Sequence, residues 1–600
     1  MGKLRAPNPS VTYVGMDTET GPDGRAFLAC TPTRWADIRS WKDAEEFLLQ
    51  DRDYVCWNAS FDGRALFAWL PKRCLRDLHV SRRTTYRGTT VEVHTEKHWS
   101  VRRGKARCDT WDAYPYYESG LDAAAARWLD EGKSGAHLDK SDMPHEYHAR
   151  PGVVREYCAR DARLTQQLWE RFEAQITELG ISPYRANSPA TLARRYFADS
   201  FRALREAPKA TGLFEPSYFG GRNEVYWRGR IPGPVYAYDI RSAYPTALAT
   251  LPVPTGHMER LDGREPTDAL FYAAYHVRVN IRPDVMVGPV PARRPDGTLF
   301  YPTGVFYVVI SAADHACLHA GGHEHRHLGG YGLIPDAPAT PLFPGIAELY
   351  ALRRARPDLS LGIKKLLNST YGKTAETVRR WIPEEKMRDG DIMPSRKCSR
   401  GRYVRSAYAA RGAYFPVAAA VTAACRRTIY RLAMQRPDAI VSISTDGILS
   451  RAPLAADLGE ELGQWEAAVW SGAVIVGNGV YMLHGPDGWE VKCRGARLDT
   501  TAFMHLFLTI PSRRSPILTL PTLKPLTFGE CAAQGYRNLN AMLPGMRQLD
   551  CNMDTKRVWP RKWRSVADMM RSEPMQSETY LHLDMDALRP YYRRTKGGRA

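Results

Sequence analysis

The residues of this sequence best placed to do chemistry are carboxylates. Residues 11–20 read VTYVGMDTET, an apolar run that ends in Asp17-Thr18-Glu19. Side chains alternate along a strand, so Asp17 and Glu19 project from one face. Farther on, DYVCWNASFDGRAL is a second strand-like run that passes through Asn58, Phe61 and Asp62 into a helix. In GVVREYCARDARLTQQLWERF, helical periodicity puts Val154, Tyr157, Asp161, Leu164 and Leu168 on one stripe. Asp161 therefore sits on an apolar, inward face beside Tyr157. An inward carboxylate needs a partner, and a metal ion is a natural one. Asp17, Glu19, Asp62 and Asp161 make an all-oxygen set suited to Mg²⁺ or Mn²⁺. Two such ions can activate water and stabilise the leaving oxygen in phosphodiester hydrolysis.

A second carboxylate pair lies in the central half. GPVYAYDIRSAYPTAL begins as a strand with Val235, Ala237 and Asp239 on one face, and turns at Ser242, Tyr244 and Pro245. DLSLGIKKLLNSTYGKTAE has helical spacing, with Lys364, Asn368 and Tyr371 at i, i+4 and i+7 and Ile363, Leu366, Leu367 and Thr370 covering much of the other face. That stripe presents donors and a ring to a ligand such as a triphosphate and a base pair. DAIVSISTDGILSR is an apolar strand with Ser444, Thr445, Asp446 and Gly447 at a tight turn. Asp239 and Asp446 pair as ligands of a second two-metal site, here for nucleotidyl transfer.

The elements that must position these groups exceed one ordinary core, because the chain has 600 residues. Its 44% hydrophobic and 25% charged residues are those of a globular protein. The formal charge of +19 and pI near 9.4 favour a polyanionic partner. No apolar h-region opens the sequence, and stretches such as 416–425 are too short to span a bilayer. The 11 cysteines form no CxxC pair, which fits a reducing, cytoplasmic compartment.

Taken in order, DxE, NxxFD and YxxxD resemble the three exonuclease motifs of family B DNA polymerases. The resemblance implies a ribonuclease-H-like 3′→5′ exonuclease domain in which the four carboxylates bind metal. It also implies that Tyr157 orients the attacking water, while Thr20, Asn58 and Phe61 hold the single-stranded 3′ end. Asp109-Thr110-Trp111 loosely matches a further single-strand contact, and a supporting lysine is either Lys133 or Lys140. The three central elements resemble motifs A (DxxSxYP), B (KxxxNSxYG) and C of the same family. By that resemblance Lys364 contacts the triphosphate, Tyr244 excludes a ribose 2′-hydroxyl, Tyr371 packs at the nascent base pair, and Arg353 or Arg354 adds a phosphate contact. The usual Asp-Thr-Asp of motif C is here Ser444-Thr445-Asp446, which keeps the metal ligand and removes one nearby charge. Residues 444 and 446 are expected on the same strand face.

Three features resemble the protein-primed branch of bacteriophages and linear plasmids. SYFGGRNEV carries a YxGG linker as Tyr218, Gly220 and Gly221. The stretches from Asp239 to Asn368 and from Asn368 to Asp446 leave room for two terminal-protein regions. GVYMLHGPDGWEVKCRGARLD resembles a primer-binding region with Tyr481, Lys492, Arg494 and Gly495, although Gly479 stands where a lysine is usual. The expected architecture is multidomain α/β and α+β: an exonuclease domain followed by a right-hand polymerase of palm, fingers and thumb with two insertions. The expected boundaries are 1–190 for the exonuclease domain and 191–254 for the linker and first palm part. Then come 255–345 and 377–410 for the insertions, 346–376 for the fingers, 411–497 for the rest of the palm and 498–600 for the thumb.

The implied partners are template and primer DNA, dNTPs and a terminal protein, with two Mg²⁺ or Mn²⁺ ions per site and no membrane. Two alternatives stand beside this reading: a primer-independent family B polymerase of a mobile element, and an editing nuclease or DNA-binding replication factor with impaired synthesis. In DTKRVWPRKWRS, basic residues interleave with Trp559 and Trp563 and suit nucleic acid as well as they suit a solvated face. His315, Cys317, His319, His323, His325 and His327 crowd the first insertion. HEHRH alternates like an exposed strand without a second cluster of ligand spacing, so a solvated strand is the expectation there.

Overall fold

The computed structural model describes residues 13–577 apart from 132–136, 183–187, 262–269, 387–391, 495–499, 504–516, 527–530, 532–537, 551–553, 564–566 and the single positions 52, 96, 295, 400, 411, 502, 541 and 568. Lys133, Gly495 and Arg564 lie outside the described residues.

The expected strand at Asp17 forms as Val14–Thr20 and runs parallel to Asp53–Cys56, which is parallel to Ala106–Asp112. Five antiparallel neighbours extend these into an eight-stranded sheet. The amphipathic helix forms as Pro151–Glu178 and lies across the first strand. Gly15 makes the close approach possible, because a Cβ there would stand 1.9 Å from the Ala162 carbonyl oxygen.

A second sheet is built on the long strand Trp227–Ile240, flanked by Gly447–Ser450 and Trp465–Gly477. Ile440–Thr445 and Arg222–Val225 continue it on one side, Val480–Gly485 and Gly488–Cys493 on the other. Its packing helix, Phe415–Ala433, is alanine-rich and buried along most of its circumference, as expected of a helix walled in by other elements. Among the described residues no helix is long and apolar enough to cross a membrane.

Four smaller sheets complete the described residues, and the larger two come between residues 257 and 409. One has four strands in the order His257–Arg260, Glu324–Ile334, Ala273–Ile281, Gly304–Ser311, and carries the helix Ala312–Ala320. The other pairs Thr377–Pro383, Gly401–Ala409 and Ile392–Cys398. It docks on the first domain, where the Ser399 hydroxyl donates to Asp77 at 2.7 Å. Helices Ile346–Ala355 and Ser360–Thr374 pack together and against the helix Ala243–Thr250 that follows the long strand.

The C-terminal segment is distributed over the molecule. Leu526, Cys531 and Leu539 are buried in the core of the first domain, while Met570–Arg571 pairs with Trp227 and Arg228. Arg557 is buried against Glu224 at 3.2 Å, and Glu224 also pairs with Arg222 at 2.6 Å. Trp563 is likewise buried, so the basic-aromatic segment spends part of its charge and rings on the interior; Arg561 and Lys562 remain exposed.

Candidate functional site

In the first domain, Asp17 and Glu19 project together, as strand alternation requires. One ligand atom each from Asp17, Glu19 and Cys158 lies within 4.8 Å of the others. Asp62 is buried at the start of helix Ala59–Phe67, where the Thr18 hydroxyl donates to it at 2.8 Å. Asp161 faces inward from Pro151–Glu178. Burial, then the charges of Glu19, Asp62 and Asp161, hold the Asp17 carboxyl well above its ordinary range. Burial also raises Asp62 to about 7, against opposing hydrogen bonds from Thr18 and Cys56. Carboxylates that repel one another in a low-dielectric pocket are what a divalent cation stabilises, so the donor set fits hard metal ions.

Around this cluster the other expected residues fall unevenly. Asn58 is exposed with a left-handed φ of 75°, anchored by its backbone N–H donating to Asp112, and Phe61 is 38% exposed. Both are open to a ligand. A bulge between Glu19 and Thr20 re-aims Thr20 at the strand end. Tyr157 is half-buried and Lys140 Nζ stands 5.4 Å from its ring centre. Asp109, Thr110 and Trp111 correct the expectation of a single-strand contact. All three are buried, and Asp109 is held by Arg107 at 2.8 Å and His98 at 3.4 Å. Cys158 was not legible as a neighbour of the carboxylates, although its position one turn before Asp161 was the available signal.

In the second domain, Asp239, Ser242, Lys364, Asn368 and Asp446 line one cleft of about 930 Å³. Asp239 ends the long strand and pairs in register with Gly447 on one side and Glu466 on the other. The protein crowded around its carboxyl, and then the charges of Asp446 and Glu466, raise its pKa to about 6. Burial raises Asp446 also. Asp446 sits in a tight hairpin, with Thr445 at a φ of 57° and the Asp446 N–H donating to the Ser444 carbonyl at 2.7 Å. The left-handed Thr445 interrupts the two-residue alternation that was expected to set Ser444 and Asp446 on one face. Gly221 touches this hairpin: a Cβ there would lie 2.6 Å from Thr445 Cγ2. Gly220 has open space instead, and the carbonyls of Phe219 and Gly220 each accept from Arg426 at 2.7 Å.

The Lys364, Asn368, Tyr371 stripe forms as expected on Ser360–Thr374, with Lys364 and Asn368 open to the cleft and Ile363, Leu366, Leu367 and Thr370 buried. Tyr371 joins the other two tyrosines. Its hydroxyl lies 2.6 Å from that of Tyr218, and its ring centre 4.5 Å from that of Tyr244. Ser242 adopts a left-handed φ of 54° and its carbonyl starts the helix Ala243–Thr250 that carries Tyr244. Arg354 is engaged by Glu460 and by Glu461, the latter at 2.6 Å, while Arg353 lines the same cleft.

Tyr481 and Lys492 face each other across a hairpin, and the Arg494 N–H donates to the Gly479 carbonyl at 2.7 Å. Gly479 takes a φ of 70° at the turn, which disfavours the lysine expected there. Lys492 lowers and Glu466 raises the Asp239 pKa, so both stand near that carboxyl. Glu466 was missed in the sequence because only cross-strand pairing reveals it.

His315 and His319 share a helix, and His325 and His327 a strand; the four rings meet. The helix thus supplies a second cluster that the sequence reading of HEHRH did not.

Comparison with known proteins places this geometry among relatives. Residues 152–380 match the family described as DNA polymerase type B, organellar and viral. The DNA-directed DNA polymerase of Enterobacteria phage PRD1 is 27% identical over 354 residues, which span 54% of this chain and 58% of that relative. The match thus covers little more than half the relative's length. The DNA polymerase of Acidianus bottle-shaped virus is 39% identical over 64 residues, 10% of each chain. Among solved structures, Phi29 DNA polymerase with primer-template DNA and incoming nucleotide aligns with 90% of this chain and 100% of its own, at a TM-score of 0.63 and 14% identity. The same polymerase with single-stranded DNA gives a TM-score of 0.61 at 15% identity and the same coverage. This chain therefore shares its mixed α/β fold with Phi29 DNA polymerase over 90% of its length.

Proposed function

We propose that this chain, a relative of the protein-primed family B DNA polymerases of phages, is a template-directed DNA polymerase that also removes nucleotides from the primer 3′ end. The observation that carries synthesis is the single cleft lined by Asp239, Ser242, Lys364, Asn368 and Asp446. Asp239 and Asp446 would hold divalent ions, which when bound lower the pKa of the primer 3′-hydroxyl and neutralise the departing pyrophosphate. Lys364, with Arg353 beside it, supplies positive charge to a triphosphate, and Asn368 offers its amide one turn along the same face. Tyr244 and Tyr371 wall the sugar and base side. Tyr481, Lys492 and Arg494 form a strip beside Asp239 suited to the primer backbone.

The ribonuclease-H-like domain supplies editing in this reading. Asp17, Glu19, Asp62 and Asp161 would hold its ions, and Tyr157, with Lys140 over its ring, orients water. Asn58, Phe61 and Thr20 receive the frayed 3′ end. Tyr218, Gly220 and Gly221, seated between the palm hairpin and the Tyr371 helix, couple the two activities. The two insertions would bind the priming protein and embrace DNA, consistent with the phage kinship and the docking of the second insertion on the first domain.

Site-specific variants test the two-site reading. Asp17→Ala with Glu19→Ala is expected to abolish 3′→5′ degradation and to leave primer extension, and Asp239→Ala to do the reverse. Loss of both activities from one of these variants in a folded protein would refute it. Extension that begins without a primer, in the absence of any priming protein, would refute protein priming.

A further inference from the structure

We infer that the first insertion carries a binding site for a borderline transition-metal ion, of the Zn²⁺, Co²⁺ or Ni²⁺ class, formed by His315, His325 and His327 with His319 at its rim. This site is separate from the carboxylate centres and independent of the function proposed above.

The argument begins with spacing. His315 and His319 are i and i+4 on Ala312–Ala320, so they share one helix face. His325 and His327 are i and i+2 on Glu324–Ile334, so they share one strand face, with exposed Arg326 between them pointing the other way. A helix pair and a strand pair, each self-aligned, meet across the short turn that joins them. One ring nitrogen each from His315, His325 and His327 lies within 4.8 Å of the others. His315 Nε2 and His327 Nε2 are 3.0 Å apart. The His319 ring centre is 5.0 Å from that of His315 and 5.1 Å from that of His325. Nitrogens around a tetrahedral zinc at about 2.0–2.1 Å stand roughly 3.3 Å from each other, so small side-chain rotations close the set.

Chemistry then selects the ion. Crowding four imidazoles together is unfavourable if they are protonated, since like charges repel. Neutral rings put lone pairs face to face unless a proton or a metal lies between them. All the donors are imidazole nitrogens, which favour Zn²⁺ and its neighbours and give Mg²⁺ no carboxylate. Tyr275 packs on both His315 and His327, with ring centres 5.3 and 5.6 Å away, and fixes their orientation. Access is open as well, because His315 and His319 border a cavity of about 1010 Å³. Bound there, an ion would staple the helix to the strand and stiffen the insertion.

The test strips the full-length protein with EDTA, dialyses it, and titrates Co²⁺ with Mg²⁺ in millimolar excess to occupy the carboxylate centres. The expected result is one equivalent of tightly held Co²⁺ with visible d–d absorption of imidazole ligation, displaced by Zn²⁺. The variant His315→Ala with His327→Ala is expected to lose that equivalent, with an affinity at least a hundredfold weaker. The rim variant His319→Ala, which alters only an exposed side chain, is expected to shift the spectrum and to weaken binding severalfold. It keeps the test decisive should the double variant fail to fold. Absence of the Co²⁺ band in the wild-type protein would overturn the proposal. So would an unchanged spectrum in His319→Ala, or a folded double variant that keeps its ion, which would then belong elsewhere, as at His94, His98 and Asp109.

Discussion

The Tyr218 hydroxyl lies 2.6 Å from the Tyr371 hydroxyl, which joins the segment before Arg222–Val225 to the helix Ser360–Thr374. Tyr371 in turn packs against Tyr244 with the rings tilted, so one chain of rings runs from Tyr218 to Tyr244. Burial, and then the Tyr218 hydrogen bond, push the Tyr371 hydroxyl upward in pKa, so it stays protonated at neutral pH. Removing one neutral hydrogen bond costs about 1 kcal/mol. Tyr218→Phe is therefore expected to raise the KM for incoming nucleotide roughly fivefold while kcat changes little. It should also move the balance of the two activities toward degradation. Steady-state extension and degradation on one primer-template measure both, and an unchanged balance would remove the coupling role.

Tyr244 tests sugar selection. Its ring is braced by Tyr371, and Asp446 lies close enough to help raise its pKa to about 12, after burial and Cys425. Tyr244→Ala is expected to increase ribonucleotide incorporation by at least tenfold, and Tyr244→Phe to leave it near wild type, since the ring does the blocking. Competition between dNTP and rNTP at a single template position reads the ratio. Equal discrimination in the alanine variant would exclude Tyr244 from this role.

Glu466 bears on Ser444, which stands where the resemblance leads one to expect an aspartate. It sits opposite Asp239 in the strand register and pairs with Arg241 at 2.8 Å. It therefore supplies negative field at the Asp239 carboxyl, from the side of the sheet away from Ser444. Glu466→Gln is expected to raise severalfold the Mg²⁺ concentration giving half-maximal synthesis, with the degradation midpoint unmoved. Ser444→Asp should lower the synthesis midpoint more in the Glu466→Gln background than in the wild type. Additive effects in this cycle would show that the two positions do not share a role.

Asp62 links pH to metal binding. Its pKa stands at about 7 in the fold against an ordinary 3.8, so between those values the folded chain holds a proton that the unfolded chain has lost. Stability of the metal-free protein from this group is therefore greatest below about 4 and falls as pH rises toward 7. On the proposed editing role Mg²⁺ would bind the ionised form and offset that loss, so the Mg²⁺-induced rise in Tm is expected to grow from about pH 5 to about pH 8. Asp62→Asn should flatten this growth. Thermal melts with and without Mg²⁺ across that range measure it, and a pH-independent Mg²⁺ effect would contradict the assignment.

Much of the site was readable because its signals are local. Alternation alone puts Asp17 and Glu19 on one face, and a period of 3.6 alone separates Lys364, Asn368 and Tyr371 from the apolar side of their helix. These follow from backbone geometry within one element, and the structure keeps them. The apolar runs leading into Asp17, Asp239 and Asp446 likewise announce their strands. Tertiary structure decided whatever depends on which elements become neighbours. Strand pairing set Glu466 against Asp239, and packing of Pro151–Glu178 on the first strand brought Cys158 to the carboxylates. Burial took Asp109 and Arg557 away from any nucleic acid, although each looks in sequence like a surface charge. The left-handed Thr445 broke an alternation that a regular strand would have kept. The histidines show both sides of this division: each pair is aligned by its own helix or strand, but only the turn from helix to strand brings one pair to face the other.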